Sequence, residues 1–250
     1  MNYLLTIAFD GKDFCGWQFQ PGARSVQGVI TEASAALFKC KCLITGCSRT
    51  DSGVHALGFK CTVRPENGAS IPTDRLPLAY SSLLPSDVSV LSAEIVADDF
   101  HPRYTAITKE YEYRILNSPI NDPFLVGRVY RFPTPISDEG VERMHRAAQY
   151  ICGTHDFASF MASGSKITDC VRTVKFCNVE RRNGCICINV AADGFLYNMV
   201  RIIAGTLLEV GRGAMPPEEI EAVINSHDRT RAGSTAPACG LYLKNVIYGE

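Results

Sequence analysis

Residues 46–58 read Gly46-Cys47-Ser48-Arg49-Thr50-Asp51-Ser52-Gly53-Val54-His55-Ala56-Leu57-Gly58, and the run from Arg49 to Ala56 gathers a cation, a carboxylate, a glycine and an imidazole. Two readings are open from these residues alone. In one, Asp51 is a working carboxylate, a nucleophile or base, whose ionised form is favoured by Arg49 and by N–H donors of the Ser52-Gly53 turn. In the other, Asp51 caps its own backbone near Gly53 in an Asx-turn and Arg49 pairs with it at the surface. Leu43 to Cys47 reads as a strand that delivers Asp51 at its end, and residues 58–64 read as another. The run therefore falls on a connection between packed elements, where catalytic groups are often displayed.

Working outward, Tyr3, Leu5, Ile7 and Phe9 alternate as on a half-buried strand that stops at Asp10-Gly11. Ser25 is placed to cap a helix carrying Val26, Val29, Ile30, Ala33 and Leu37 on one face. A helix between residues 73 and 84 and a strand over 88–97 follow. The second half uses the same vocabulary. Residues 108–116 and 128–132 are extended, Ser137 opens a helix running through Ile151, and two strands flank Asn183-Gly184 as a hairpin. A helix over 197–210, a short one from Pro217 and a last strand from Leu241 to Tyr248 close the chain. The spacing predicts two similarly built α+β halves, 1–106 and 107–250, with one continuous sheet and a cleft between them.

Composition is that of an ordinary globular protein, with 46% hydrophobic and 20% charged residues. The longest apolar run, near residues 199–210, is broken by Arg201 and Glu209 and is too short for a membrane span. The start Met1-Asn2-Tyr3-Leu4-Leu5 lacks a secretory signal, so a cytoplasmic location is expected. Eleven cysteines with irregular spacing, among them Cys40-x-Cys42 and Cys185-x-Cys187, contain no Cys-x-x-Cys pair; they read as small core residues kept reduced, with no metal site. The 25 basic and 26 acidic residues leave a net charge of −1. A nucleic-acid partner then requires local segregation of charge, with Arg24, Arg49, Arg103, Lys109, Arg143, Arg146, Lys166, Arg172 and Arg201 turned towards one cleft.

The octapeptide Arg49–Ala56 strongly resembles the catalytic motif of the TruA family of tRNA pseudouridine synthases, which carries alanine where this chain has Ser52. Further motifs occur in family order: Gly16-Trp17-Gln18, Ser25-Val26-Gln27, Asp99-Phe100-His101 with Arg103, and Lys109-Glu110-Tyr111-Glu112-Tyr113. Beyond them come Arg143–Ala148, Gly153-Thr154-His155-Asp156-Phe157, Gly194-Phe195-Leu196 with Met199-Val200-Arg201, and Gly240-Leu241-Tyr242-Leu243. The resemblance implies the pseudouridine synthase fold: α+β, two pseudo-symmetric α/β halves sharing a mainly antiparallel mixed sheet, with a central active-site cleft. It implies an isomerase that turns uridine into pseudouridine in the anticodon stem-loop of tRNA, at positions 38, 39 and 40, as a homodimer and with no metal or organic cofactor.

It also implies roles. Asp51 is the catalytic carboxylate, whether it attacks C1′, adds to C6 or takes a ribose proton on a glycal route. Arg49 orients Asp51 and helps flip the base. Tyr111 stacks on the uracil or acts in proton transfer at C5, and Arg201, too costly to bury alone, pairs with Asp51. Arg24, Gly53, His55, Arg103, Lys109, Phe195 and Leu241 are expected around the substrate, His55 as a brace of the loop rather than a general acid. Two other classes remain open: a catalytically silent RNA-binding module, and an acid–base hydrolase built on Asp51 and His55. Intact Arg49, Asp51, Tyr111 and Arg201 weigh against the first; the lack of a second motif-borne carboxylate or a nucleophile elbow weighs against the second.

Overall fold

The computed structural model describes residues 1–164 and 167–249; Lys166, expected among the RNA-facing cations, lies outside the described residues. The chain divides into two compact units, Met1–Ile107 with Tyr242–Glu250, and Thr108–Leu241. The class is mixed α and β with mostly antiparallel pairing, as the sequence implies.

In the first unit β1 (Asn2–Phe9) lies between β3 (His55–Pro65) and β4 (Val88–Val96), antiparallel to both. Its Tyr3, Leu5 and Ile7 are fully buried, each contributing about 1.5–3 kcal/mol of apolar burial. The other edge of β3 is shared. Its residues 61–65 pair antiparallel with β2 (Cys42–Gly46), while His55 and Ala56 pair in parallel with Tyr242 and Leu243 of β10 (Leu241–Tyr248). Helix α1 (Val26–Phe38) packs on β2 and β3 through Val26, Ile30, Ala33 and Phe38, and the Ser25 hydroxyl accepts the Gly28 N–H at 3.2 Å as its cap. Helix α2 is only Leu76–Ser81 and packs on β4. It is shorter than expected because Pro77 sets its first turn, while the Ser81 and Ser82 hydroxyls bond back to the Leu78 and Ala79 carbonyls at its end.

In the second unit the order is β5 (Ala106–Leu116), β9 (Cys185–Ala192), β8 (Val171–Arg182) and β7 (Gly153–Asp156), all antiparallel, with β6 (Tyr130–Arg131) parallel to the end of β5. The β8–β9 turn is Asn183-Gly184, both at positive φ (52° and 76°), which is the backbone twist a two-residue hairpin requires. Helix α3 (Asp138–Gln149) crosses β8 and packs on α4 (Met199–Gly211), which is buried along nearly its whole length. Helix α5 (Glu219–Ser226) packs against β7. No described helix is long and apolar enough to cross a membrane.

All eleven cysteines are free thiols. Cys185 and Cys187 share one face of β9 in a cluster with Val129, as their spacing predicts, whereas Cys40 precedes β2 and only Cys42 lies in it. Burial pushes the Cys42 thiol up to about 12 and those of Cys61 and Cys177 higher still, so none of these three is a thiolate at neutral pH. Among the described residues no cluster of three or more His, Cys, Asp or Glu is disposed to hold a metal ion.

Candidate active site

Between β2 and β3 the chain makes a reverse turn in which the Val54 N–H donates to the Asp51 carbonyl at 3.2 Å, with Gly53 at φ +78°. That φ at the third turn position belongs to a glycine. A second segment of the unit clamps the turn. The Gly53 N–H and the Ser52 hydroxyl both donate to the Phe14 carbonyl, at 3.3 and 3.2 Å, and the Trp17 N–H donates to the Thr50 carbonyl at 3.2 Å. The Gly53 N–H is thus given to Phe14, and the Asx-turn reading of Asp51 does not hold.

Two motifs that the sequence alone could not assign are the clamp's foundation. Gly16 adopts φ +93° and lies so close to the Thr50 carbonyl that no side chain fits there. Trp17 is 2% exposed, stacked on Phe59 at 4.3 Å and pressed against Gly46, whose added Cβ would sit 2.5 Å from the indole. Gln27 in the first turn of α1 accepts from the Phe19 N–H and from the Gln18 amide, both at 2.9 Å, and donates to the Ile44 carbonyl at 3.2 Å. Helix, clamp and strand are thereby one hydrogen-bonded piece.

His55 opens β3 and is 2% exposed. Its Nδ1 accepts the Gly11 N–H at 3.0 Å, lies 3.1 Å from Asp10 Oδ1, and its ring stacks on Tyr242 at 4.6 Å. Its setting is that of a brace. Arg24 forms a two-pronged pair with Asp87 (2.7 and 2.9 Å) over the Phe14 ring. The hydrogen bond from Arg24 holds the Asp87 carboxyl below its ordinary range, and the same bond raises the guanidinium's pKa. Arg49 is exposed and makes no ion pair with Asp51 or with any other described carboxylate. With Arg103 it lines a cavity of about 220 Å³ floored by Trp17, Thr45 and Gly46.

In the second unit Tyr111, 8% exposed, stands on β5 opposite Val190 and meets Phe195 edge-on at 5.1 Å. Lys109 is on the same strand, opposite Ala192. Arg201, in the first turn of α4, donates from Nε to the Ala236 carbonyl at 2.7 Å and from Nη1 to Asn198 Oδ1 at 2.9 Å. Asn198 precedes the helix in a left-handed conformation (φ +59°), which aims its amide back along the first turn. Leu241, 7% exposed, follows Gly240, which packs against Tyr113. Among the other expected cations, Arg143 donates to the Gly211 carbonyl at the end of α4, and Arg172 is bound to the Asp169 and Val171 carbonyls. Sequence reasoning passed over Phe14, whose contribution is a main-chain carbonyl and leaves no signal, and Tyr104, whose signal was its place beside the quoted Asp99-Phe100-His101 and Arg103.

A clamped carboxylate turn in one unit and a strand-borne tyrosine with a helix-borne arginine in the other stand beside a family match: residues 147–249, which run from α3 of the second unit through β10, fit the model of "tRNA pseudouridine synthase". Full-length similarity carries this further. The chain is 44% identical over 247 residues to tRNA pseudouridine synthase A of Caldicellulosiruptor saccharolyticus and 42% identical over 250 residues to that of Bacillus subtilis, with 99% of each chain covered in both cases. The chain belongs to the tRNA pseudouridine synthase A family, a family of isomerases.

Proposed function

We propose that this protein isomerises uridine to pseudouridine in tRNA, with Asp51 as the reacting carboxylate. The observation that carries the proposal is the turn itself: Asp51 opens a tight turn clamped to the Phe14 carbonyl and the Trp17 N–H, in a chain whose full-length relatives are tRNA pseudouridine synthases. The reaction breaks the C1′–N1 bond, turns the uracil and rejoins it through C5, so no electrons are exchanged and no redox cofactor is called for. A carboxylate on a rigid turn divides one difficult step into easier ones. Tyr111, held edge-on to Phe195, is the stacking or proton-transfer partner of the base, and Arg201 supplies the counter-charge of the reacting centre. Arg49, unpaired with Asp51, acts on the RNA and not as the orienter of the carboxylate.

The finer reading follows the resemblance: the target lies on the 3′ side of the anticodon stem-loop, at positions 38, 39 and 40, selected by tRNA shape and backbone contacts. The protein acts in the cytoplasm as a homodimer and without a metal or organic cofactor. Incubating the purified protein with an unmodified tRNA transcript and mapping pseudouridine tests this. Modification confined to those positions, in metal-free buffer, is expected. Binding without any pseudouridine would instead favour a silent RNA-binding module, and product elsewhere in the tRNA would overturn the site assignment.

A further inference from the structure

We propose that the cavity beside the carboxylate turn is a subsite for the RNA nucleotide flanking the target, its phosphate held by Arg49 and Arg103 and its base stacked on Tyr104. The inference rests on the reading of the chain as a tRNA-modifying enzyme and adds where a neighbouring nucleotide is held. Three observations converge on it. Several arginines elsewhere on the chain are spent on carboxylates, Arg24 on Asp87, Arg181 on Asp138, Arg182 on Glu112 and Arg212 on Glu209, and Arg143 and Arg172 on main-chain carbonyls. Arg49 and Arg103 have no carboxylate among the described residues, yet both line one cavity. In a protein of net charge −1 that is a local positive site in want of an anion.

The cavity's size and rim fix which part of a nucleotide goes where. About 220 Å³ accepts a phosphate with its ribose but not an entire nucleotide, so the base must lie at the rim. Tyr104 is there, 76% exposed, one of the most solvent-open aromatic rings of the protein. It is also held still. His101 packs on it at 4.3 Å, the His101 carbonyl accepts the Tyr104 and Thr105 N–H groups, both at 3.1 Å, and the Thr105 hydroxyl at 2.8 Å. The Arg103 N–H donates to His101 Nδ1 at 3.2 Å, which places the proton of the neutral ring on Nε2. A turn tied four times at one histidine presents an aromatic face and a guanidinium that lose little freedom on binding. Arg103 Cζ lies 5.8 Å from the Tyr104 ring centroid, and an exposed ring beside cations that have no carboxylate partner is the combination with which proteins bind single-stranded nucleotides.

The two halves of the subsite have different signatures, and the test uses that. Binding of an unmodified tRNA transcript is measured between 50 and 200 mM salt for the parent protein, Arg103→Gln, Arg103→Lys, Tyr104→Ala and Tyr104→Phe, with pseudouridine formation followed on the same samples. Arg103→Gln is expected to weaken binding and reduce the steepness of log Kd against log salt by about 0.7–0.9, and Arg103→Lys to restore that steepness. Tyr104→Ala is expected to weaken binding about 5- to 100-fold at unchanged steepness, with KM affected more than kcat, and Tyr104→Phe to retain affinity. Both positions are exposed, so melting temperatures should stay with the parent. Parental affinity and steepness in both Arg103→Gln and Tyr104→Ala overturn the subsite. A parent that binds tRNA but forms no pseudouridine overturns the functional reading instead, and the variants' affinities and slopes still decide the subsite.

Discussion

At the scale of single residues, the neighbours of Asp51 separate what holds the turn from what acts in it. The Ser52 hydroxyl, absent from the alanine that the resemblance leads one to expect, has a defined partner in the Phe14 carbonyl, which the Gly53 N–H also reaches. Ser52→Ala removes one of two bonds to that acceptor. Urea denaturation should register a loss of about 0.5–1.5 kcal/mol, and turnover should persist because the Gly53 bond still closes the turn. Thr50 is the opposite case. Its Oγ1 is buried with no partner among the described residues, a state that costs free energy. Thr50→Val keeps the shape and removes the orphan hydroxyl, so stability should be unchanged or rise by up to about 1 kcal/mol; a loss beyond 1 kcal/mol in the same denaturation experiment would show that the hydroxyl is bonded. The sequence displayed Asp51 plainly but left the Asx-turn open, because the donor that decides it, the Gly53 N–H, finds its acceptor in a residue far off in sequence.

At the scale of elements, Gly46 at the end of β2 packs against the Trp17 indole, and the Trp17 main-chain N–H holds the segment leading into the Asp51 turn by donating to the Thr50 carbonyl. Gly46→Ala must displace the ring, at a cost of about 1–3 kcal/mol, and kcat should fall even where the variant is fully folded; a lowered melting temperature with parental kcat would uncouple the clamp from catalysis. On β5, Glu112 is 2% exposed between Tyr111 and Tyr113 and is paired with Arg114 and Arg182. Burial alone would push its carboxyl pKa up; the hydrogen bonds and charges of the two arginines outweigh this and bring it below its ordinary value. A carboxyl depressed on folding gives stability that is present above the unfolded value of about 4.3 and lost as pH falls through the folded one. Glu112→Gln should cost about 2–3 kcal/mol at neutral pH and flatten the decline of melting temperature below about pH 4.5. Parental acid sensitivity in that variant would remove Glu112 from the acid limb.

The same scale shows what sequence periodicity can and cannot carry. Alternation placed β1, the Ser25 cap placed α1 and Asn183-Gly184 placed the β8–β9 hairpin, because each signal is local. Strand β3 begins at His55, not at residue 58, since its first residues are made a strand by parallel pairing with Tyr242 and Leu243 nearly two hundred residues on. Strand β7, Gly153–Asp156, was not anticipated: four mostly polar residues show no alternation, and only the β8 ladder makes them a strand.

For the whole molecule, net charge misleads and the arrangement of charge informs. A total of −1 argues against an RNA partner, yet it is a balance between arginines already neutralised by carboxylates and a few left open. Affinity for tRNA should therefore fall with salt despite the acidic total, by about 7- to 12-fold between 50 and 200 mM for as few as two phosphate contacts; insensitivity to salt would contradict phosphate binding. Chain topology was only partly legible. The final strand leaves the second unit and returns to the first at Tyr242, a long-range pairing that no linker composition announces.

In the proposed mechanism the side-chain carboxylate of Asp51 performs the chemistry while the turn around it merely holds it. Asp51→Asn keeps shape and removes the acid, so a single-turnover experiment with excess enzyme over unmodified tRNA transcript tests it directly. No pseudouridine above background is expected, together with tRNA affinity within a few-fold of the parent. Pseudouridine accumulating at a parental rate in the Asn variant would contradict it outright.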